Sequence, residues 1–223
     1  MQQAYRLLRI VSEAQTIRIL LTSSPGVSML DELCTACTTL TGGNSADIKV
    51  VVLDFQPTSN ANNGEALLTE ENVSQACRAV QAVEQPVLAV VREGTLSEAA
   101  SRLVDAADLR LIAQTAIFTR GKETETGSAA LRFGYATWST STRNIDSEME
   151  RILDMLRDKS AVALRLTKES VRIGVRCHAE GIVPLEALKQ VDDLHLTEVM
   201  GTEDASEGLR AFLEKRKPTW KNR

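Results

Sequence analysis

Aromatic residues are scarce, eight of 223 or 4%. They are not interleaved with basic residues, so no stacking platform for single-stranded nucleic acid is expected. Positive charge is also in short supply. Lys and Arg number 26 against 30 Asp and Glu, a formal net charge of −4, so a broad basic face for nucleic acid is not expected either. Long apolar runs are missing: stretches such as Val50–Leu53 are far too short to span a bilayer. Arg6, Arg9 and Glu13 interrupt the N-terminal apolar pattern, leaving no signal-peptide core. The expected location is therefore the cytoplasm, with no membrane contact.

Histidine and cysteine are few as well. His178 and His195 both fall in the helical C-terminal third, and a lone histidine between leucines is weak support for a base. The four cysteines are Cys34, Cys37, Cys77 and Cys177. Cys34 and Cys37 form one C-x-x-C inside an expected helix, where a redox dithiol would want a helix N-terminus. A zinc site would need a second pair of ligands, and only Cys177-His178 offers one. Reduced structural thiols and no metal are the expectation. No phosphate-cradling G-x-x-x-x-G-K-[ST] or G-x-G-x-x-G is present. Gly26-Val27-Ser28 begins like a nucleophile elbow, but Leu30 stands where the second glycine belongs.

What is present is an ordinary globular composition, 43% apolar and 25% charged. A chain of this length buries roughly 70% of its unfolded surface without a disulfide or metal staple. Ile17, Ile19 and Leu21 alternate as a strand with one buried face. Met29–Leu40 reads as a helix, and Lys49–Asp54 as a strand buried on both faces. The polar stretch Gln56–Glu65 then leaves a strand's C-terminal end, where functional loops of α/β proteins sit. Thr69–Val83 has helical spacing, Val87–Val91 is a buried strand, and Ser97 caps a helix running to about Ala107. Leu109–Ile112 and Ala116–Phe118 are short strands, and Arg120–Arg143 is expected to be irregular. From Ile145 onward the pattern is helical: Met149 to Leu156, Val162–Val175, Leu185–Met200 and Ser206–Lys215. Strand–helix alternation followed by helices predicts an α/β core over 1–140 and a helical region over 145–223.

The C-terminal stretch Thr202-Glu203-Asp204-Ala205-Ser206-Glu207-Gly208-Leu209-Arg210-Ala211-Phe212-Leu213-Glu214-Lys215-Arg216-Lys217-Pro218 resembles the end of the enoyl-CoA hydratase/isomerase (crotonase) family. Ile48–Asp54 resembles the family's "VRVVVLTG" strand. Gln85–Val91, Gly94 and Ala107–Arg110 resemble "KPVIAAVNG … CDLR". The chain is thereby identified as a shortened, divergent member. The resemblance implies a spiral of ββα units with a C-terminal helical trimerisation region. It implies a coenzyme A thioester as substrate or ligand, with no covalently bound cofactor, and a homo-oligomer (trimer or hexamer). It also implies an oxyanion hole of two backbone N–H groups, which stabilise charge developing on the thioester.

By position, that hole falls on Ala99 and on the loop containing Asn63 and Gly64. The family's two catalytic glutamates fall on Arg102 and Lys122, leaving Glu123, one residue on, as the substitute catalytic carboxylate. Glu98 lies four residues before Arg102, so a plain helix-surface ion pair is the competing reading of Arg102. A family helix that walls the acyl pocket is expected to be missing between about Leu131 and Asp146. Two functions follow. One is an enoyl-CoA hydratase/isomerase-like lyase or isomerase with altered acid/base groups. The other is a non-catalytic accessory or scaffold subunit of an acyl-CoA-processing enzyme. Thioester hydrolysis or decarboxylation, which lean mainly on the oxyanion hole, stand as a third.

Overall fold

A computed structural model of the chain describes residues 5–22, 25–42, 47–56, 68–121 and 123–223. The chain enters through a hairpin, β1 (Leu8–Glu13) and β2 (Thr16–Leu21). Its two-residue tip, Ala14-Gln15, has positive φ at both positions, as a type I′ turn requires. The first of these strands was not apparent in the sequence. As an edge strand it buries only Leu8, so no alternation marks it. Its start is held by Glu32, whose carboxylate accepts the N–H groups of Arg6, Leu7 and Leu8 at 2.9–3.2 Å.

Four more strands extend the sheet in parallel: β3 (Val50–Phe55), β4 (Val87–Val91), β6 (Leu109–Ala113) and β9 (Trp138–Thr140). All five residues of β4 and all six of β3 are buried, the signature of parallel strands covered on both faces. The order β1-β2-β3-β4-β6-β9 adds each parallel strand on the same side of the one before. Right-handed crossovers then all fall on one face, so the chain advances as a coil and does not double back. That matches the expected spiral. The crossover helices α1 (Val27–Gly42), α2 (Glu70–Ala82) and α3 (Glu98–Ala106) stack in turn, α1 on α2 and α2 on α3. The opposite face is covered by α5 (Ile145–Arg157), which buries Ile145, Met149, Ile152 and Leu153 and touches β3 and β6.

Arg120–Arg143 is more regular than expected. A second sheet pairs β5 (Thr95–Leu96), β7 (Ile117–Arg120) and β8 (Glu123–Thr126). It is followed by α4 (Gly127–Arg132) and then by β9. Threonine suits a pleated strand, so the Thr-rich composition that suggested a loop also suits β8. Gly127 fits here because a Cβ would stand 2.0 Å from the Ala113 carbonyl oxygen. The C-terminal helices are α6 (Ala161–Ala179), α7 (Pro184–Leu194) and α8 (Glu203–Leu213). The expected helix Leu185–Met200 is therefore two pieces, α7 and a π-helical turn, His195–Val199, in which the Met200 N–H reaches back to His195. Among the described residues no helix is long and apolar enough to cross a membrane.

Buried charge ties the layers together. Asp54 on β3 has no exposed side chain, and its carboxylate accepts bonds from Arg18 of β2 and from Arg92, just past β4. Arg92 also reaches Asp146 at the start of α5, 2.7 Å away. Burial alone would lower the Arg92 pKa, but its bonds to Asp146 and Asp54 outweigh it and the net shift is upward. Lys168 of α6 is likewise buried, bound to Asp108 at 2.7 Å and to the Gln85 carbonyl at 3.1 Å. Removing one partner of a buried pair strands the other charge at a cost of ~3–5 kcal/mol. Asp54→Ala should therefore lose stability in that range in urea unfolding, and a loss under 1 kcal/mol would show that the arginines find other partners.

The C-terminal tail folds back over the start of α8. Asp204 accepts Ser160 Oγ–H at 2.5 Å and the N–H groups of Lys221 and Asn222 at 2.7 and 3.0 Å. The Trp220 indole lies against Gly208 and donates to the Asp158 carbonyl at 2.7 Å. Glu207 takes both Nη groups of Arg216 and the Thr219 N–H. Those bonds, Arg216 first, hold the Glu207 pKa down to about 2, from an ordinary 4.5. A released tail binds a proton more readily, so the clasp is favoured above about pH 4.5 and weakens as pH falls toward 2. In a Trp138→Phe background, Trp220 emission should shift to the red across that window. In Glu207→Gln it should already be shifted at pH 7.

Candidate functional site

The site forms where two helix N-termini meet. Gly94, at φ +90°, turns the chain after β4 into β5 and then α3. Ser97 caps α3, its Oγ accepting the Ala100 N–H at 3.3 Å. Ala99 is the second residue of the helix, so its N–H belongs to the first turn, whose donors have no intrahelical acceptor. Glu98 opens the helix, where the dipole favours a carboxylate. Across from it, Thr69 and Asn72 form a reciprocal capping box at the start of α2, and Glu70 is that helix's first residue.

Between these ends lies a cleft of about 470 Å³. Leu68, Thr69, Glu70 and Val73 form one wall; Ser97, Glu98, Ala99 and Arg102 form the other, with Thr119 of β7 beside them. Arg102 lies one helical turn past Ala99 and does not pair with Glu98. It reaches across to Glu70 at 2.7 Å and to Ser74 Oγ at 3.3 Å. This bond to Glu70 is the leading cause that raises the Arg102 pKa and lowers that of Glu70. The Arg102 side chain is 35% exposed and that of Glu70 78%, so the guanidinium is the better-anchored partner.

Ala99 and Arg102 are thus brought to one cleft. Asn63, Gly64 and Lys122 lie outside the described residues. Leu68, the first described residue after Asn63 and Gly64, lies in the cleft wall. Glu123 is exposed at the start of β8, paired in register with Arg120, while Thr119 pairs with Thr124. Strand alternation places Glu123 on the hairpin face opposite Thr119, and it is not among the described residues that line the cleft. The carboxylates that do line it, Glu70 and Glu98, were not singled out as catalytic from the sequence. The Thr-Glu-Glu-Asn helix start just after the polar stretch Gln56–Glu65 is the signal that could have pointed to Glu70.

Cysteine chemistry is disfavoured. Burial pushes the thiols of Cys34 and Cys77 up and that of Cys37 to about 12, the opposite of an activated nucleophile. Cys77 Sγ donates to the Arg102 carbonyl at 3.5 Å. Among the described residues no group of three His, Cys, Asp or Glu is placed to hold a metal ion.

No family model matches the chain. A cyclohexa-1,5-dienecarbonyl-CoA hydratase of Thauera aromatica is 42% identical over 97 aligned residues, 37% of this chain and 38% of that protein. The match thus takes in well under half the length of that relative. Solved structures agree over nearly the whole chain. An enoyl-CoA hydratase of Mycobacterium smegmatis superposes with a TM-score of 0.81 at 20% identity, over 97% of this chain and 99% of its own. One from Bacillus anthracis gives 0.79 at 20%, over 98% and 100%. An enoyl-CoA hydratase/isomerase of Mycobacterium paratuberculosis gives 0.81 at 20%, over 99% and 100%. The one-handed coil of parallel strands is therefore the crotonase fold that these enoyl-CoA hydratase structures share.

Proposed function

We propose that the chain binds an acyl-CoA thioester in the cleft at the N-terminus of α3 and lacks the paired glutamates of a hydratase. The observation that carries this reading is the pairing of Arg102 with Glu70 beside Ala99. The Ala99 N–H, with an N–H from the Asn63-Gly64 loop, receives the thioester oxygen. Backbone donors need no particular side chain, so such a hole outlasts the loss of the family's glycines. The relatives' names, a hydratase of a dienecarbonyl-CoA and several enoyl-CoA hydratases, support a CoA thioester as the ligand. Hydration requires one carboxylate to take a proton from water and another to deliver one to carbon. By position in the sequence those two roles fall on Arg102 and Lys122, and a guanidinium does not serve as a base near neutral pH.

The chain then acts as an accessory, thioester-holding subunit beside a partner enzyme. The second reading, a single-carboxylate proton transfer, is favoured by one feature: Glu98 lines the same cleft as Ala99. Glu123 remains its rival on position in the sequence. Crotonyl-CoA should be hydrated far more slowly than ~1 s⁻¹, an ordinary enzyme rate, as followed by loss of enoyl absorbance. Turnover at that rate that vanishes in Glu98→Gln or Glu123→Gln would replace the accessory reading with the catalytic one. A thioester that binds should raise Tm by about 5–10 °C at a hundredfold excess over Kd. No shift with any CoA ester would remove the site.

The helical end supports a homo-oligomer, a trimer or a hexamer. No residue of α7 is buried, and α8 leaves Leu209, Phe212 and Leu213 outward, Phe212 at 79% exposure. Apolar surface of that kind marks an interface. Light scattering at micromolar concentration should give a multiple of 24.4 kDa, reduced to the monomer mass in Phe212→Asp/Leu213→Asp.

A further inference from the structure

We propose that Arg102 is the acyl-specificity residue of this cleft and that the acyl group it receives ends in a second carboxylate. This rests on the thioester reading of the same cleft. The argument begins with which partner of the Arg102–Glu70 pair is fixed. Arg102 is carried by the middle of α3 and also donates to Ser74 Oγ. Glu70 is 78% exposed on the first turn of α2. An ion pair with so exposed a partner is worth little net free energy, so a ligand carboxylate can take the place of Glu70 while the charge on Arg102 stays matched. A guanidinium is also well suited to a carboxylate, offering two parallel N–H donors.

Position adds the second argument. Arg102 lies three residues after Ala99, about 4.5 Å further along the helix axis, and both line the cleft. A thioester oxygen at the helix start and a carboxylate at Arg102 are the two ends of a short dicarboxylic acyl chain. Between them the walls are largely polar, with Thr69, Ser97 and Thr119 beside Leu68 and Val73. Thr69 and Ser97 already use their hydroxyls in the helix caps, but a long apolar chain would still take these polar walls out of water, which costs free energy. Besides Glu70, which the ligand would displace, Glu98 is the anionic residue among the described lining residues that opposes an anionic chain. It stands at the helix start, beside the expected thioester position, one turn from Arg102.

The test is calorimetric titration with two thioesters of equal chain length, glutaryl-CoA and valeryl-CoA. Wild type should bind glutaryl-CoA ~10-fold more tightly, as expected of one added charge-assisted pair. Arg102→Gln should remove that preference, so that the two thioesters bind equally. Glu70→Gln should increase the preference severalfold, because the competing carboxylate is gone. A purely structural ion pair would not give that gain, and unchanged Tm values would show that both variants fold. Equal binding of the two thioesters by wild type, or a preference retained in Arg102→Gln, would overturn the assignment and leave the thioester site standing. Binding of neither would overturn the thioester reading and this assignment with it.

Discussion

A buried carboxylate, Asp54, sets the geometry on which the rest depends. It stands near the C-terminal end of β3 with no access to solvent, and the cost of burying it is offset by Arg18 and Arg92, which reach it from the neighbouring strands. Those contacts tie three adjacent parallel strands to one another. Beyond Arg92 the chain turns at Gly94 into β5 and α3. The segment Ser97–Arg102 that borders the cleft therefore follows a strand clamped to its neighbours. Arg92 extends the clamp to Asp146 at the start of α5, so the layer opposite the crossover helices is docked against the same point.

Much of this was legible in the sequence, for physical reasons that differ between elements. The continuous apolar runs of β3 and β4 can belong only to something buried on both faces, and Ser97 announced a helix start that the structure caps as expected. The edge strand β1 was invisible because an edge packed on one residue imposes no alternation. The hairpin β7–β8 and helix α4 were hidden because threonine and glycine serve loops and turns as readily as strands. At the site, the helix-start position of Ala99 followed from local capping, which is written in neighbouring residues. The partner of Arg102 did not, because Glu70 lies 32 residues away in sequence. Spacing along one helix offered Glu98 instead, and only the packing of α2 against α3 decides between them.

The C-terminal half separates two uses of apolar residues. On α5 they point into the sheet and finish the core. On α7 and α8 they point outward, while the polar groups of the tail, Asp204, Glu207, Arg216 and Asn222, are satisfied within the chain. A monomer under pressure only to fold would be expected to show the reverse, with polar groups outward and apolar groups inward. The terminal motif that gave the family resemblance is thus a clasp in its charged positions, and it holds α8 with its apolar residues exposed.

On the proposed reading, a guanidinium at position 102 where a hydratase would hold a carboxylate changes what the crotonase fold can do without disturbing how it is built. The backbone donors of α3 are fixed by helix capping and are indifferent to the side chains around them. Acid/base capacity, by contrast, resides in individual side chains, and a cation there removes a proton acceptor and introduces an anion receptor in one step. The charge must be matched when the cleft is empty, and the exposed Glu70 does so while remaining displaceable. Likeness of fold therefore carries less functional information here than the identity of three residues, Glu70, Glu98 and Arg102.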